Sequence, residues 1–74
     1  MSLCDLKIGE SGYVTKINCN DDIRVRLYDL GLIEGTNIKL ILISNGINAY
    51  LIKNSLIAIR NKDALNIIVG EVND

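Results

Sequence analysis

The run Asn20-Asp21-Asp22-Ile23-Arg24-Val25-Arg26-Leu27-Tyr28-Asp29-Leu30-Gly31-Leu32-Ile33-Glu34-Gly35-Thr36 decides how this chain folds. Its first three side chains can accept hydrogen bonds from the free amides of a helix start, where negative charge also suits the macrodipole. Ile23, Leu27 and Leu30 recur at i, i+4 and i+7, which predicts a helix from Asp22 to Leu30 with one apolar stripe. Asp22 and Arg26, and Arg26 and Asp29, stand at ion-pair spacing on its wet side. Gly31 occupies the place of a left-handed residue that ends a helix, with the apolar Leu32 behind it. Ile33-Glu34-Gly35-Thr36 then reads as a tight turn in which Gly35 supplies a positive φ.

Either side of this run the pattern is that of short strands. Leu3 to Gly12 is a lead-in with Leu6 and Ile8 as anchors, followed by a strand over Tyr13 to Asn18. Beyond the turn, strands are expected over Asn37 to Ser44, Ile47 to Lys53, Ser55 to Arg60 and Leu65 to Val72, with Asn61 to Ala64 as a single connecting turn. Asn45-Gly46 is the strongest hairpin signal, since both residues tolerate the positive φ of a type I′ turn. Five short strands and one helix after the first suit a partly open barrel better than a sandwich, which takes about seven strands. The expected fold is therefore mainly β, a small SH3-like barrel of about five antiparallel strands in a single domain over 1–74.

Seventy-four residues sit at the low end of chains that close a core unaided, but 49% are hydrophobic, with 13 Ile, 10 Leu and 4 Val, so burial can offset the ordering entropy. The formal net charge of -1 gives no electrostatic footprint for nucleic acid. The chain has no His, which removes the commonest general base and the commonest neutral metal ligand. Cys4 and Cys19 lack the spacing of a zinc or redox motif and read as idle thiols of a cytoplasmic protein. The start shows no basic and apolar signal pattern, and no apolar run exceeds the four residues of Leu40 to Ile43, far short of the ~20 that span a bilayer.

No phosphate-binding, dinucleotide, zincin or nucleophile-elbow motif occurs, and each acidic residue has a plain role as cap, turn or solvated strand end. Asp21 with Asp22 reads as a helix cap rather than a metal site. No catalytic and no metal-ligating residue is assigned, and an enzyme is not expected. The strands carry an apolar surplus instead: Ile41 and Ile43 oppose Ile38, Leu40 and Leu42, and Tyr50 and Ile52 oppose Ile47, Ala49 and Leu51. Barrel filling accounts for part of this, and a partner-binding or self-association patch is the open alternative for the remainder. On the helix, Arg24 and Tyr28 fall at i, i+4 and combine a guanidinium with an aromatic ring, a composition enriched at binding hot spots.

The run from Arg26 through Leu27, Asp29, Leu30, Gly31, Leu32, Gly35 and Thr36 to Ile38 resembles the signature of the FeoA family, small cytosolic proteins of bacterial ferrous iron transport. Leu6-Lys7-Ile8-Gly9-Glu10-Ser11-Gly12 resembles the family's opening, and Leu56 to Arg60 with Ala64 and Ile67-Ile68-Val69 resembles its end. Glu34 stands where many members carry Pro, Asn54 where Gly is common, and Leu56 where a polar or basic residue is usual. The resemblance implies a non-catalytic accessory that docks on FeoB, the membrane permease with a cytosolic GTP-binding domain, and modulates it. The chain would then be cytoplasmic, recruited to the inner face of the membrane by that partner. The surface offered for docking is Arg24, Tyr28, Leu32 and Ile33, while Leu27, Leu30, Gly31 and Gly35 are assigned to structure. The resemblance also brings an association with weak Fe²⁺ binding, with no cofactor required. Rival readings are a transition-metal-responsive or self-associating regulatory domain, as found in iron-dependent repressors, and an RNA-binding small barrel, against which the net charge weighs.

Overall fold

The computed structural model of the protein describes residues 1–71. A 3-10 turn (Leu3–Asp5) leads into β1 (Ser11–Ile17), the helix α1 (Asp21–Asp29), the meander β2 (Asn37–Ile43), β3 (Ile47–Ile52) and β4 (Ser55–Arg60), a one-turn helix α2 (Asn61–Ala64) and β5 (Ile67–Glu71). The five strands form one antiparallel sheet in the order β4-β3-β2-β1-β5, the SH3-like arrangement. Val72, at which the sequence reading ends the last strand, lies outside the described residues.

The sheet curls around one core. Alternate residues of each strand point inward, so that Val14, Ile38, Leu40, Tyr50, Ile52, Ile67 and Val69 are all buried. Bulges in β1 between Val14 and Lys16 and in β2 between Leu40 and Leu42 supply the bends that a flat five-stranded sheet lacks. The N-terminal turn packs on the end of this barrel with Leu3 and Leu6 buried, and the Val69 N–H donates to Met1 O at 2.8 Å. Ile8, expected as a second anchor, is exposed instead: the chain turns at Gly9, and its N–H donates to Leu40 O.

Turn chemistry differs from expectation at the hairpins. Of Asn45 and Gly46 only Gly46 takes a positive φ, so that loop is not a type I′ turn. The paired positive φ falls at Lys53 (49°) and Asn54 (68°), the two residues linking β3 to β4. The Ile52–Ser55 pairing leaves two residues to reverse the chain, and the twist of the flanking strands then demands the mirror-image turn even of a lysine.

A candidate docking surface on the helix and the following turn

Helix α1 begins where the sequence places it. The Asn20 side chain accepts from the Ile23 N–H at 3.0 Å, and Asp21 and Asp22 fill the first turn. Neither expected ion pair of Arg26 forms among the described residues. Arg24 instead reaches back toward the helix start, its Nη2 donating to Cys19 O at 3.0 Å and to Asp21 Oδ1 at 3.1 Å.

The helix ends on Gly31 at a φ of +93°. Gly31 N–H donates to Tyr28 O and Leu32 N–H to Leu27 O, the two bonds of a Schellman cap, and Leu32 closes against the core beside Leu27. This reverses two sequence expectations. Leu32, offered above as an exposed docking residue, is 0% exposed and belongs to the core, while Leu30, assigned to the apolar stripe, is 48% exposed. A stripe read at helical period does not survive past the last helical turn: the left-handed residue redirects the chain, and the side chain after it, not the one before it, swings inward. Leu27 is buried as expected.

Beyond the cap the turn is stitched down at several points. The Thr36 hydroxyl accepts from the Ile33 N–H and donates to Gly31 O. Gly35, at a φ of +92°, donates to Val14 O at 2.7 Å, and Val14 returns a bond to Thr36 O. Thr36 is thus a buried clasp that joins the turn to β1; the only sequence hint of it is a hydroxyl residue three positions after Ile33. On the outer side the Tyr28 hydroxyl donates to the Glu34 carboxylate, 3.1 Å from Oε1 and 3.3 Å from Oε2. That hydrogen bond, with some desolvation and the carboxylate charge, raises the phenol pKa above its ordinary value of 10.0, against a smaller opposing effect of Arg24. Glu34, which the sequence reading left as a turn residue, is therefore the positioning partner of Tyr28.

Of the four docking candidates, Tyr28 and Ile33 are exposed, on either side of the helix cap. Arg24 stands at their margin with its guanidinium engaged at the helix start. Charge and aromatic area are present here; the thiols of Cys4 and Cys19 lie elsewhere, donate to the carbonyls of Asn61 and Asp63, and are held protonated above the usual thiol value, mainly by burial.

A small antiparallel barrel of this order, with a capped helix after its first strand, is of the SH3-like class, a scaffold that carries many unrelated functions. The model of the FeoA domain matches residues 1–71, and the chain belongs to that family. Among solved structures, the FeoA protein of Chlorobium tepidum superposes with a TM-score of 0.94 at 28% identity, over 99% of this chain and 71% of that one. FeoA of Stenotrophomonas maltophilia, solved as a zinc complex, gives 0.82 at 22% identity over 95% of this chain and 89% of that one. IdeR of T. acidophilum gives 0.87 at 25% identity, over 97% of this chain but 34% of the larger one. Among proteins with curated descriptions, none matches the chain.

The donor set here does not fit a resident metal. The described residues bring no three His, Cys, Asp or Glu side chains together, and neither thiol is poised to ionise. No helix of the described chain is long and apolar enough to cross a membrane.

Proposed function

We propose that this chain is a non-catalytic, cytoplasmic accessory of ferrous iron transport that docks on the GTP-binding permease FeoB and modulates it. Family membership supplies the association with ferrous iron transport. The observation that carries the docking reading is the surface that offers Tyr28, Glu34 and Ile33: an aromatic ring bonded to a carboxylate and an exposed aliphatic side chain, on backbone that the Gly31 cap and the Thr36 clasp hold in place. Such pre-ordering lowers the entropy lost on association. Modulation then amounts to differential affinity, the accessory favouring whichever permease state exposes the complementary patch.

Biolayer interferometry of the purified chain against the immobilised permease tests this. Binding is expected, and the paired substitution Tyr28→Ala and Ile33→Asp is expected to weaken it at least ~10-fold, the loss of about 1.4 kcal/mol. Unchanged binding by that folded variant would remove the assignment of the surface, and absence of binding by the parent chain would remove the partner.

The likeness to IdeR favours one second reading, a regulatory domain that responds to a transition metal. Anaerobic calorimetry with Fe²⁺ separates it from the first: a saturable heat at micromolar metal would support it.

A further inference from the structure

The meander β2–β4 has a composition unlike the rest of the chain. Between Asn37 and Arg60 there is no Asp or Glu, although the chain has nine, and there are three cations, Lys39, Lys53 and Arg60. The pairings place Lys39, Leu51 and Leu56 in one outward row and Leu42, Ala49 and Ala58 in the next, with Ile47 beside Arg60. Leu42 is 55% and Leu56 60% exposed, so the centre of this face is aliphatic and its corners are basic.

This face runs up to an open edge. Strand β4 is the last in the sheet. The bond from Asn61 N–H to Gly46 O fixes the alternation of the β3–β4 ladder, so Ser55, Ile57 and Ile59 bond to β3 while the N–H and C=O of Leu56, Ala58 and Arg60 point away from the sheet. The N–H and C=O of Leu56 and Ala58 and the N–H of Arg60 have no backbone partner among the described residues, whereas the Arg60 C=O lies at the N-cap of α2. Three of the usual protections of an edge are missing too: β4 holds no proline, its register with β3 has no bulge, and its only charge is at its end. Between α1 and this edge runs a groove lined by Ile23, Arg26, Leu27 and Leu30 on the helix side and by Ala58, Ile59 and the Arg60–Asp63 ion pair on the other.

We propose that the outer edge of β4 takes up an extended acidic and apolar segment of a protein partner as a sixth strand. Its backbone would satisfy Leu56, Ala58 and Arg60. Its side chains would alternate between the aliphatic face and the groove beside α1, and its carboxylates would meet the basic corners. A lipid surface fits less well, because hydrocarbon offers nothing to the unpaired backbone groups and the one aromatic residue of the meander, Tyr50, is buried. A second copy laid face to face would set cation against cation. The inference does not depend on which protein carries the segment, so it stands or falls apart from the permease assignment.

The test is an NMR titration of the labelled chain with a synthetic peptide of alternating Val and Glu, and with its Val and Lys counterpart. The acidic peptide is expected to shift the amides of Leu56, Ala58 and Arg60 and slow their hydrogen exchange. The Lys peptide is expected to bind ~10-fold or more weakly. Ala58→Pro removes an N–H that makes no ladder bond and is expected to abolish binding with the spectrum otherwise kept. Leu56→Glu, at an exposed position, gives the same loss by charge and carries the test if the proline variant does not fold. Equal binding of both peptides, shifts confined to Tyr28 and Ile33, binding only to vesicles of phosphatidylserine and phosphatidylcholine, or edge amides protected by self-association without peptide would each overturn the proposal.

Discussion

Leu32 and Ile33 are neighbours with opposite fates, and truncating each in turn tests the helix cap as the source of that difference. Leu32 is wholly buried at the position that closes the Schellman motif against Leu27, whereas Ile33 is 43% exposed. Leu32→Ala removes three buried carbons and leaves a cavity among side chains held by the barrel, which costs about 2 to 5 kcal/mol. A domain of this size has a total stability on the order of 4 to 11 kcal/mol, so the variant stands near the limit of folding. At about 4 to 8 °C per kcal/mol, a mid-range loss lowers Tm by roughly 14 to 28 °C. Ile33→Ala is expected to cost under about 1 kcal/mol, because much of the removed surface is already in water. Urea unfolding followed by circular dichroism reads both, as a shift of the midpoint at constant slope. Near-equal midpoints for the two variants would show that Leu32 is not a core residue, and the account of the cap would fail with it.

Other outcomes follow from the same structure. Gly31→Ala meets only the Lys53 side chain at 3.7 Å, so its cost is the left-handed backbone alone, about 1 kcal/mol, and Gly31→Asn is expected to cost less; equal, negligible losses in chemical denaturation would contradict the +93° conformation. A Cβ at Gly70 would lie 2.5 Å from Tyr13 Cζ, so Gly70→Ala is expected to destabilise, and combining it with Tyr13→Ala to cost less than the sum of the two; strict additivity in that double-mutant cycle would place the ring elsewhere. Both thiols are raised in the folded chain, which favours their protonated form there. Their contribution is present below the ordinary value of 9.0 and is lost as pH climbs through the folded values, so Tm should fall above about pH 9, and less in the Cys4→Ser, Cys19→Ser variant. An identical alkaline decline in parent and variant would assign the effect to other groups.

How much of this was legible in the sequence depends on the range of the interaction that fixes each feature. The helix start, the Gly31 and Gly35 conformations and the alternation that buries Ile38, Leu40 and Tyr50 are set by neighbours a few positions apart, and local reading finds them. The Lys53-Asn54 turn is imposed by the register of two strands, which no dipeptide preference reports, and the Asn45-Gly46 signal drew the type I′ assignment to the wrong hairpin. The exchange of Leu30 for Leu32 comes from extending a helical period through a residue that ends it. Of the docking surface, Tyr28 and Ile33 were legible as exposed candidates. Glu34 was not, because its role exists only once the cap folds the turn back beside the helix. The free edge of β4 is a property of sheet order and is invisible before the topology is known, whereas the absence of carboxylates over the meander stands in the sequence itself.

Affinity capture with tagged protein from detergent-solubilised native membranes, with the recovered proteins identified by mass spectrometry, tests the central claim most directly. Recovery of the GTP-binding iron permease with the parent chain, and its loss with the Tyr28→Ala, Ile33→Asp variant, is the predicted result. Recovery of the chain alone, of RNA-associated proteins, or of equal permease by both forms would contradict it.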